Sequence, residues 1–239
     1  MRILEGEGVT KYFGGLAAIS NVDFHVDRGE IVGLIGPNGA GKTTLFNLIS
    51  AALPLHSGVI RFKGEKITGL KPHRICRKGV ARTFQSVKVF ANMPVLGNVM
   101  LGSLFGTLSG MSSADGTKEA MESLEFVGLS AMKAIPAKDL TLANQKRLEV
   151  ARALATKPEL LLLDELVAGL NATETAQVME LVTRIRDRGI TILMIEHVMK
   201  AIMSICDRIL VLHHGVKIAE GTPKEITNNQ TVIEVYLGK

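Results

Sequence analysis

Tryptophan is missing from the 239-residue chain, and aromatic residues make up only 4% of it. Single-stranded nucleic acid is held on stacking rings, so no nucleic-acid partner is expected. Only two cysteines, Cys76 and Cys206, are present. That excludes a disulfide framework and fits a reducing compartment. No apolar run approaches the roughly 18–20 residues that span a bilayer. The longest, such as residues 160–163 and 190–195, have the length of interior strands. Residues 1–15 carry Glu5 and Glu7 and no leader-type apolar segment, so no secretory signal is expected. Internal repeats and low-complexity blocks are also missing.

What is present is ordinary for a folded chain: 46% hydrophobic and 21% charged residues. The length suffices for one large α/β domain, or two small ones, with a sizeable core. The net charge is +5, which a nucleic-acid surface or a mildly basic enzyme could produce. The densest basic stretch, residues 71–78, has no interleaved aromatic, which favours the enzyme; a phosphate ligand or a membrane-associated partner explains the charge as well.

Residues 1–30 read as short strands with turns at Gly14-Gly15 and Asp27-Arg28-Gly29. Residues 30–35 form an apolar run that ends at Gly36, a buried strand, and residues 43–52 read as the helix after it. A turn is expected at Ser57-Gly58 and a strand over 59–62. From about 86 to 140 the pattern turns helical, for example over 118–127, with a flexible Gly- and Ser-rich loop at 106–116. A helix over 144–155 stops at Lys157-Pro158. Residues 160–163 and 190–195 read as buried strands, with a helix over 173–188 between them. Strands alternating with helices imply α/β architecture and a largely parallel sheet covered on both faces. His213-His214-Gly215 turns a last hairpin, and a short helix ends the chain.

Gly36-Pro37-Asn38-Gly39-Ala40-Gly41-Lys42-Thr43 is G-x-x-x-x-G-K-T, placed between a predicted strand and a predicted helix. Glycines let the backbone curl around phosphate oxygens, and the helix N-terminus offers unpaired N–H groups and a positive dipole end. Gly36, Asn38, Gly39, Ala40, Gly41, Lys42, Thr43 and Thr44 are therefore candidates for binding a nucleoside triphosphate. Lys42 would reach the β- and γ-phosphates, and the Thr43 hydroxyl would ligate Mg²⁺. The apolar run at 160–163 then delivers Asp164 to the sheet edge, where it can hold the metal's water shell. Glu165 follows, placed to orient or deprotonate an attacking water.

These motifs and several others resemble, in order and over nearly all of the sequence, the ATP-binding cassette (ABC) ATPases. Arg82-Thr83-Phe84-Gln85 is similar to the family's glutamine loop, which implies that Gln85 touches Mg²⁺ and water. Ala168-Gly169-Leu170-Asn171 resembles its D-loop. Glu196-His197 resembles its switch, which implies that His197 contacts the γ-phosphate. Phe13 stands where the family places an aromatic that stacks on adenine. The implied fold is a P-loop cassette forming a single domain. Residues 1–85 and 156–239 would be the core, with an N-terminal antiparallel β part, and 86–155 an inserted helical signature subdomain.

Phe13-Gly14-Gly15-Leu16, Arg82-Thr83-Phe84-Gln85, Leu148-Glu149-Val150-Ala151-Arg152-Ala153-Leu154, Ala168-Gly169-Leu170-Asn171, Ile195-Glu196-His197-Val198-Met199-Lys200 and Val235-Tyr236-Leu237-Gly238 narrow the resemblance to the ATPases of branched-chain amino-acid uptake systems. That implies an Mg-dependent ATPase at the cytoplasmic face of the cell membrane. Its partners would be transmembrane permease subunits, a second ABC ATPase in a hetero- or homodimer and, indirectly, an extracytoplasmic solute-binding protein. Other ABC transporters, such as lipopolysaccharide exporters, share these motifs, and a low-turnover nucleotide-switched module is a further alternative.

The family signature, close to Leu-Ser-Gly-Gly-Gln, is Leu140-Thr141-Leu142-Ala143-Asn144 here. Thr141 keeps a hydroxyl, Ala143 still offers its N–H, and Asn144 keeps an amide on a shorter arm. Leu142 and Ala143 replace glycines, so Cβ atoms crowd the approach of a partner's γ-phosphate. A weakened signature is expected and, if the partner is a different ATPase, unequal paired sites, the one with Lys42 and Glu165 being the more active. Leu166-Val167 replaces the family's usual Pro-Thr/Ser, expected as a packing change.

Overall fold

A computed structural model describes residues 1–106 and 112–237. The first two strands are long: β1 (Arg2–Phe13) and β2 (Leu16–Asp27) pair antiparallel across Gly14-Gly15. They are 12 residues each, where short strands were expected. Register shifts along their pairing let the strands twist without ending, which the interrupted apolar pattern hides. Next come β3 (Ile31–Ile35), α1 (Lys42–Ile49), β4 (Ser57–Phe62) and β5 (Glu65–Lys66). Ser57-Gly58, expected as a turn, opens β4. Gly58 sits at φ +90 against the Gly8 carbonyl, at a register shift where a Cβ would overlap backbone. The four-stranded sheet has the order β2-β1-β4-β5.

Then follow α2 (Pro72–Arg77), β6 (Val80–Arg82), α3 (Val95–Phe105), α4 (Ser113–Phe126) and α5 (Leu142–Leu154). Among the described residues, 86–155 add helices and no strand to either sheet. The expected flexible loop at 106–116 is partly wrong. Helix α4 already begins at Ser113, because the Ser112 hydroxyl caps it by accepting the Asp115 N–H at 3.1 Å. The rest of that loop, 107–111, lies outside the described residues.

The last third gives β7 (Leu160–Asp164), α6 (Ala172–Asp187), β8 (Thr191–Ile195), α7 (Met199–Ile205), β9 (Arg208–His213), β10 (Val216–Gly221), α8 (Pro223–Thr227) and α9 (Gln230–Leu237). The six-stranded sheet has the order β10-β9-β3-β8-β7-β6, parallel except for the β9–β10 hairpin. Its inner strands bury both faces. Leu161 and Leu163 of β7 enter an apolar cluster shared with the helices (Val99, Leu148, Val182). Leu160 and Leu162 enter a second cluster between the two sheets and α1 (Phe24, Phe46, Phe62). The strand period of two thus sorts one continuous leucine run into two cores.

Candidate functional site

Strand β3 is fully buried and ends at Ile35, so the chain must turn at the sheet's C-terminal edge. Gly36 turns it at φ +151, close enough to the Leu212 carbonyl that a Cβ would overlap that oxygen. Gly41, at φ +101, starts α1 with no side-chain cap, leaving first-turn N–H groups free for an anion. The loop is held from the far end of the chain, where the Gly215 N–H donates to the Ala40 carbonyl at 3.0 Å.

Lys42 lies inside the curl, buried, with Nζ donating to the Gly36 and Pro37 carbonyls at 2.7 and 2.9 Å. Burial lowers its pKa, while the charges of Glu165 and Asp164 oppose that shift. Asp164, at the end of β7, is only 1% exposed. Its Oδ2 pairs with the buried Arg82 guanidinium at 2.8 Å. Its Oδ1 has no hydrogen-bond partner. Burial raises its pKa and Arg82 pulls it back. Arg82 also donates to Asn47 Oδ1 (2.6 Å) and Ser50 Oγ (3.1 Å) on and just after α1.

Glu165 stands at φ +50, rare for a residue with a Cβ. Its carboxylate is bracketed: Oε1 pairs with His197 Nε2 at 2.8 Å, and Oε2 accepts from Gln85 Nε2 at 3.0 Å. Its carbonyl accepts from the buried Lys146 Nζ of α5 at 2.8 Å. Glu196, also buried, accepts the Val167 N–H at 2.8 Å. Desolvation pushes the Glu196 carboxyl up to about 7. Burial lowers Lys146, and the charges of Glu196, Glu149 and Glu165 resist. Leu166 and Val167 are buried core residues.

A cleft of about 410 Å³ brings together Asn38, Gly39, Ala40, Gly41, Lys42, Thr43, Thr44, Gln85, Glu165 and His197. Gly36 and Asp164 are not among its lining residues; the Gly36 carbonyl accepts from Lys42, and the Asp164 carboxylate interacts electrostatically with Lys42 and Glu165. Leu16, Ala17, Ala18 and His214 line the same cleft and were not among the expected site residues; pairing between distant segments brings them there. Phe13 does not line the cleft; it is exposed at the end of β1, with Lys11 Nζ 5.3 Å from its ring centroid. Thr141, Ala143 and Asn144 stand at the N-terminus of α5, apart from this cleft. The Thr141 hydroxyl caps that helix by accepting the Asn144 N–H at 3.3 Å, and the Asn144 amide turns toward Met132 Sδ.

A buried carboxylate oxygen without a donor, beside one already neutralised by arginine, suits a hard divalent cation. Among the described residues no cluster of three or more His, Cys, Asp or Glu could hold a metal. Asp164 and the Thr43 hydroxyl are the candidates to hold such an ion beside a bound phosphate. Fold and site together define a P-loop nucleotide-binding protein with an acidic strand end opposite the loop.

Comparison with known proteins agrees. The ABC transporter profile matches residues 19–168, and a profile described as branched-chain amino acid ATP-binding cassette transporter matches 216–239. The chain is 42% identical to the high-affinity branched-chain amino acid transport ATP-binding protein BraF of Pseudomonas aeruginosa, covering 99% of this chain and 98% of that protein. It is 41% identical, with the same coverage, to LivG of Escherichia coli, which bears the same description. A crystal structure of a nucleotide-free ATP-binding cassette from an ABC transporter superposes with TM-score 0.91 at 31% identity, covering both chains completely. A second cassette, in its ADP conformation, gives 0.90 at 32%, also with both chains covered completely. The chain belongs to the ABC transporter family, as an ATP-binding subunit. It hydrolyses ATP with Mg²⁺.

Proposed function

We propose that this chain is the peripheral motor of a branched-chain amino-acid importer, working at the cytoplasmic face of the cell membrane. The bracketing of Glu165 by His197 and Gln85, across one cleft from Lys42, carries the catalytic part of this reading. The solute rests on the C-terminal match and on the names of the relatives.

Lys42 is held ready by two loop carbonyls, and incoming β- and γ-phosphates replace them as its partners. The first-turn N–H groups of α1 receive the same phosphates. Thr43 and Asp164 would hold Mg²⁺, which would supply charge neutralisation on the phosphate oxygens. Glu165 accepts a proton from the attacking water as that water's oxygen bonds to the γ-phosphorus and the bridging oxygen leaves with ADP. His197 and Gln85 fix the carboxylate's direction until the nucleotide arrives, and His197 then turns to the γ-phosphate. The adenine lies toward Phe13 and the start of β2.

Residues 86–155 act as the signature subdomain. Thr141, Ala143 and Asn144 face the nucleotide of a second ABC ATPase. Leu142 is 44% exposed at that helix start, where the family has glycine, so the signature is weakened; paired with a different ATPase subunit, the two sites would be unequal. A cavity of about 470 Å³ opens between α2, the Phe84 loop, α3 and α5, lined by Ile75, Phe84, Phe90 and Leu101 among others. It receives a permease segment. No helix among the described residues is long and apolar enough to cross a membrane.

Proteoliposomes containing the cognate permeases, the second ATPase and the binding protein test the reading. Labelled leucine should accumulate only with Mg-ATP and an intact Lys42. ATP hydrolysis without leucine, isoleucine or valine uptake would refute the solute. Hydrolysis unaffected by Lys42→Ala would refute the site.

A further inference from the structure

Glu165 presents its carboxylate from a backbone conformation that costs a residue with a Cβ about 1–2 kcal/mol. Something must hold it there. Its N–H donates to the Ile195 carbonyl at 2.9 Å, which ties it to β8. Its carbonyl accepts from Lys146 Nζ at 2.8 Å, which ties it to α5. Two residues on, the Val167 N–H is held by the Glu196 carboxylate. Lys146 and Glu196 are 4% and 3% exposed, and both hold the same short turn by its backbone, at Glu165 and at Val167. A lysine placed there only to balance Glu196 need not donate to the backbone of the residue that faces the water. Lys146 also stands two positions past Asn144, in the first turns of α5.

We propose that Lys146 is a positioning residue for ATP hydrolysis: it holds the turn that aims Glu165, and so joins the glutamate of one site to the helix whose N-terminus meets the other. The first half stands on the geometry alone. The second rests on the pairing of two cassettes given under Proposed function. Any shift of α5 caused by nucleotide at Thr141–Asn144 then moves the Glu165 carbonyl through one side chain. The sites would be coupled within each chain as well as across the interface.

Three variants of the full-length chain, assembled with its transporter partners, separate positioning from charge balance. Lys146→Met leaves Glu196 without a counter-charge and should lower both the melting temperature and kcat. Glu196→Gln keeps an acceptor for Val167 and the Lys146 contact, so its kcat should stay within about threefold of wild type. The double variant removes the Lys146–Glu196 charges together, leaving Glu149 its own partner Arg152, and should regain most of the melting temperature. Its kcat should remain about 10–100-fold low, as expected when a reacting group is misplaced. ATP affinity, measured by direct titration, should change by less than about threefold.

A double variant with wild-type kcat would overturn the proposal, leaving only charge balance. So would a Glu196→Gln variant as slow as the double one. If Lys146→Met alone fails to fold, the comparison of the other two still decides. A wild-type chain that hydrolyses ATP while remaining unpaired would refute only the coupling between sites, and the kcat comparison would still judge Lys146.

Discussion

Replacing Arg82 by methionine keeps the length of the side chain and removes its charge. In the folded chain Asp164 would then be 1% exposed, with neither carboxylate oxygen paired to a side-chain donor. Breaking a buried ion pair on one side costs about 3–5 kcal/mol. Loss of the Asn47 and Ser50 contacts adds to this. At about 2–4 °C per kcal/mol for a chain of this size, the melting temperature should fall by roughly 6–20 °C. The loss should depend on pH. Burial already raises the Asp164 pKa, and Arg82 opposes that shift, so removing Arg82 raises it further. An acid with a raised folded pKa loses stability as pH climbs from its unfolded pKa to its folded one. The deficit of the variant should therefore be smaller near pH 5 than near pH 8. Adding Asp164→Asn should recover most of it, because no charge is left to strand. Thermal unfolding followed by circular dichroism at the two pH values suffices. A deficit below about 1 kcal/mol at the higher pH, or one unchanged by pH, would show that the pair does not hold Asp164 as argued.

Glu165→Gln should slow steady-state hydrolysis by roughly 10²–10⁴-fold while ATP still binds; a loss under tenfold would mean that another group serves the water. Lys42→Ala removes two charge-assisted contacts to phosphate and should weaken ATP binding at least tenfold by titration; unchanged affinity would contradict the pocket. Gly36→Ala should lower the urea midpoint, because the new Cβ overlaps the Leu212 carbonyl, and a midpoint equal to wild type would refute that crowding. Glu196 has its folded pKa raised from 4.5 to about 7. Its carboxyl should therefore cost the fold about 3 kcal/mol as pH rises through that window, and no more above it. Comparing the melting curves of Glu196→Gln and wild type across pH 4.5–7 checks this, and a constant difference would exclude it.

The phosphate loop, Asp164, Glu165 and the inner strands were legible because each is written locally. A glycine pattern sits between a strand and a helix, and apolar runs are short enough to be strands. The start of α4 was missed because Ser113-Ala114-Asp115-Gly116 has loop composition, and only the Ser112 cap makes it helix. The length of β1 and β2 was missed because their register shifts break the alternation. Arg82 and Lys146 look like ordinary solvated basic residues. Their burial follows from how β6 and α5 pack on Asp164 and Glu165, which no spacing along the chain encodes. The alanines at 17 and 18 belong to the cleft for the same reason.

The nucleotide loop is complete in sequence by residue 43, yet its support is made much later. Strand β3 lies between β8 and β9. The Ile31 N–H is received by the Asp207 carboxylate, 176 positions away. The Gly215 N–H anchors Ala40. During synthesis, then, the segment that names this protein's chemistry emerges first and must wait for nearly the whole chain before it can take shape. Nascent chains that stop before β9 should carry the loop and bind no ATP. The exposed apolar faces of β3 and β7 would meanwhile need protection, because pairings this distant close slowly.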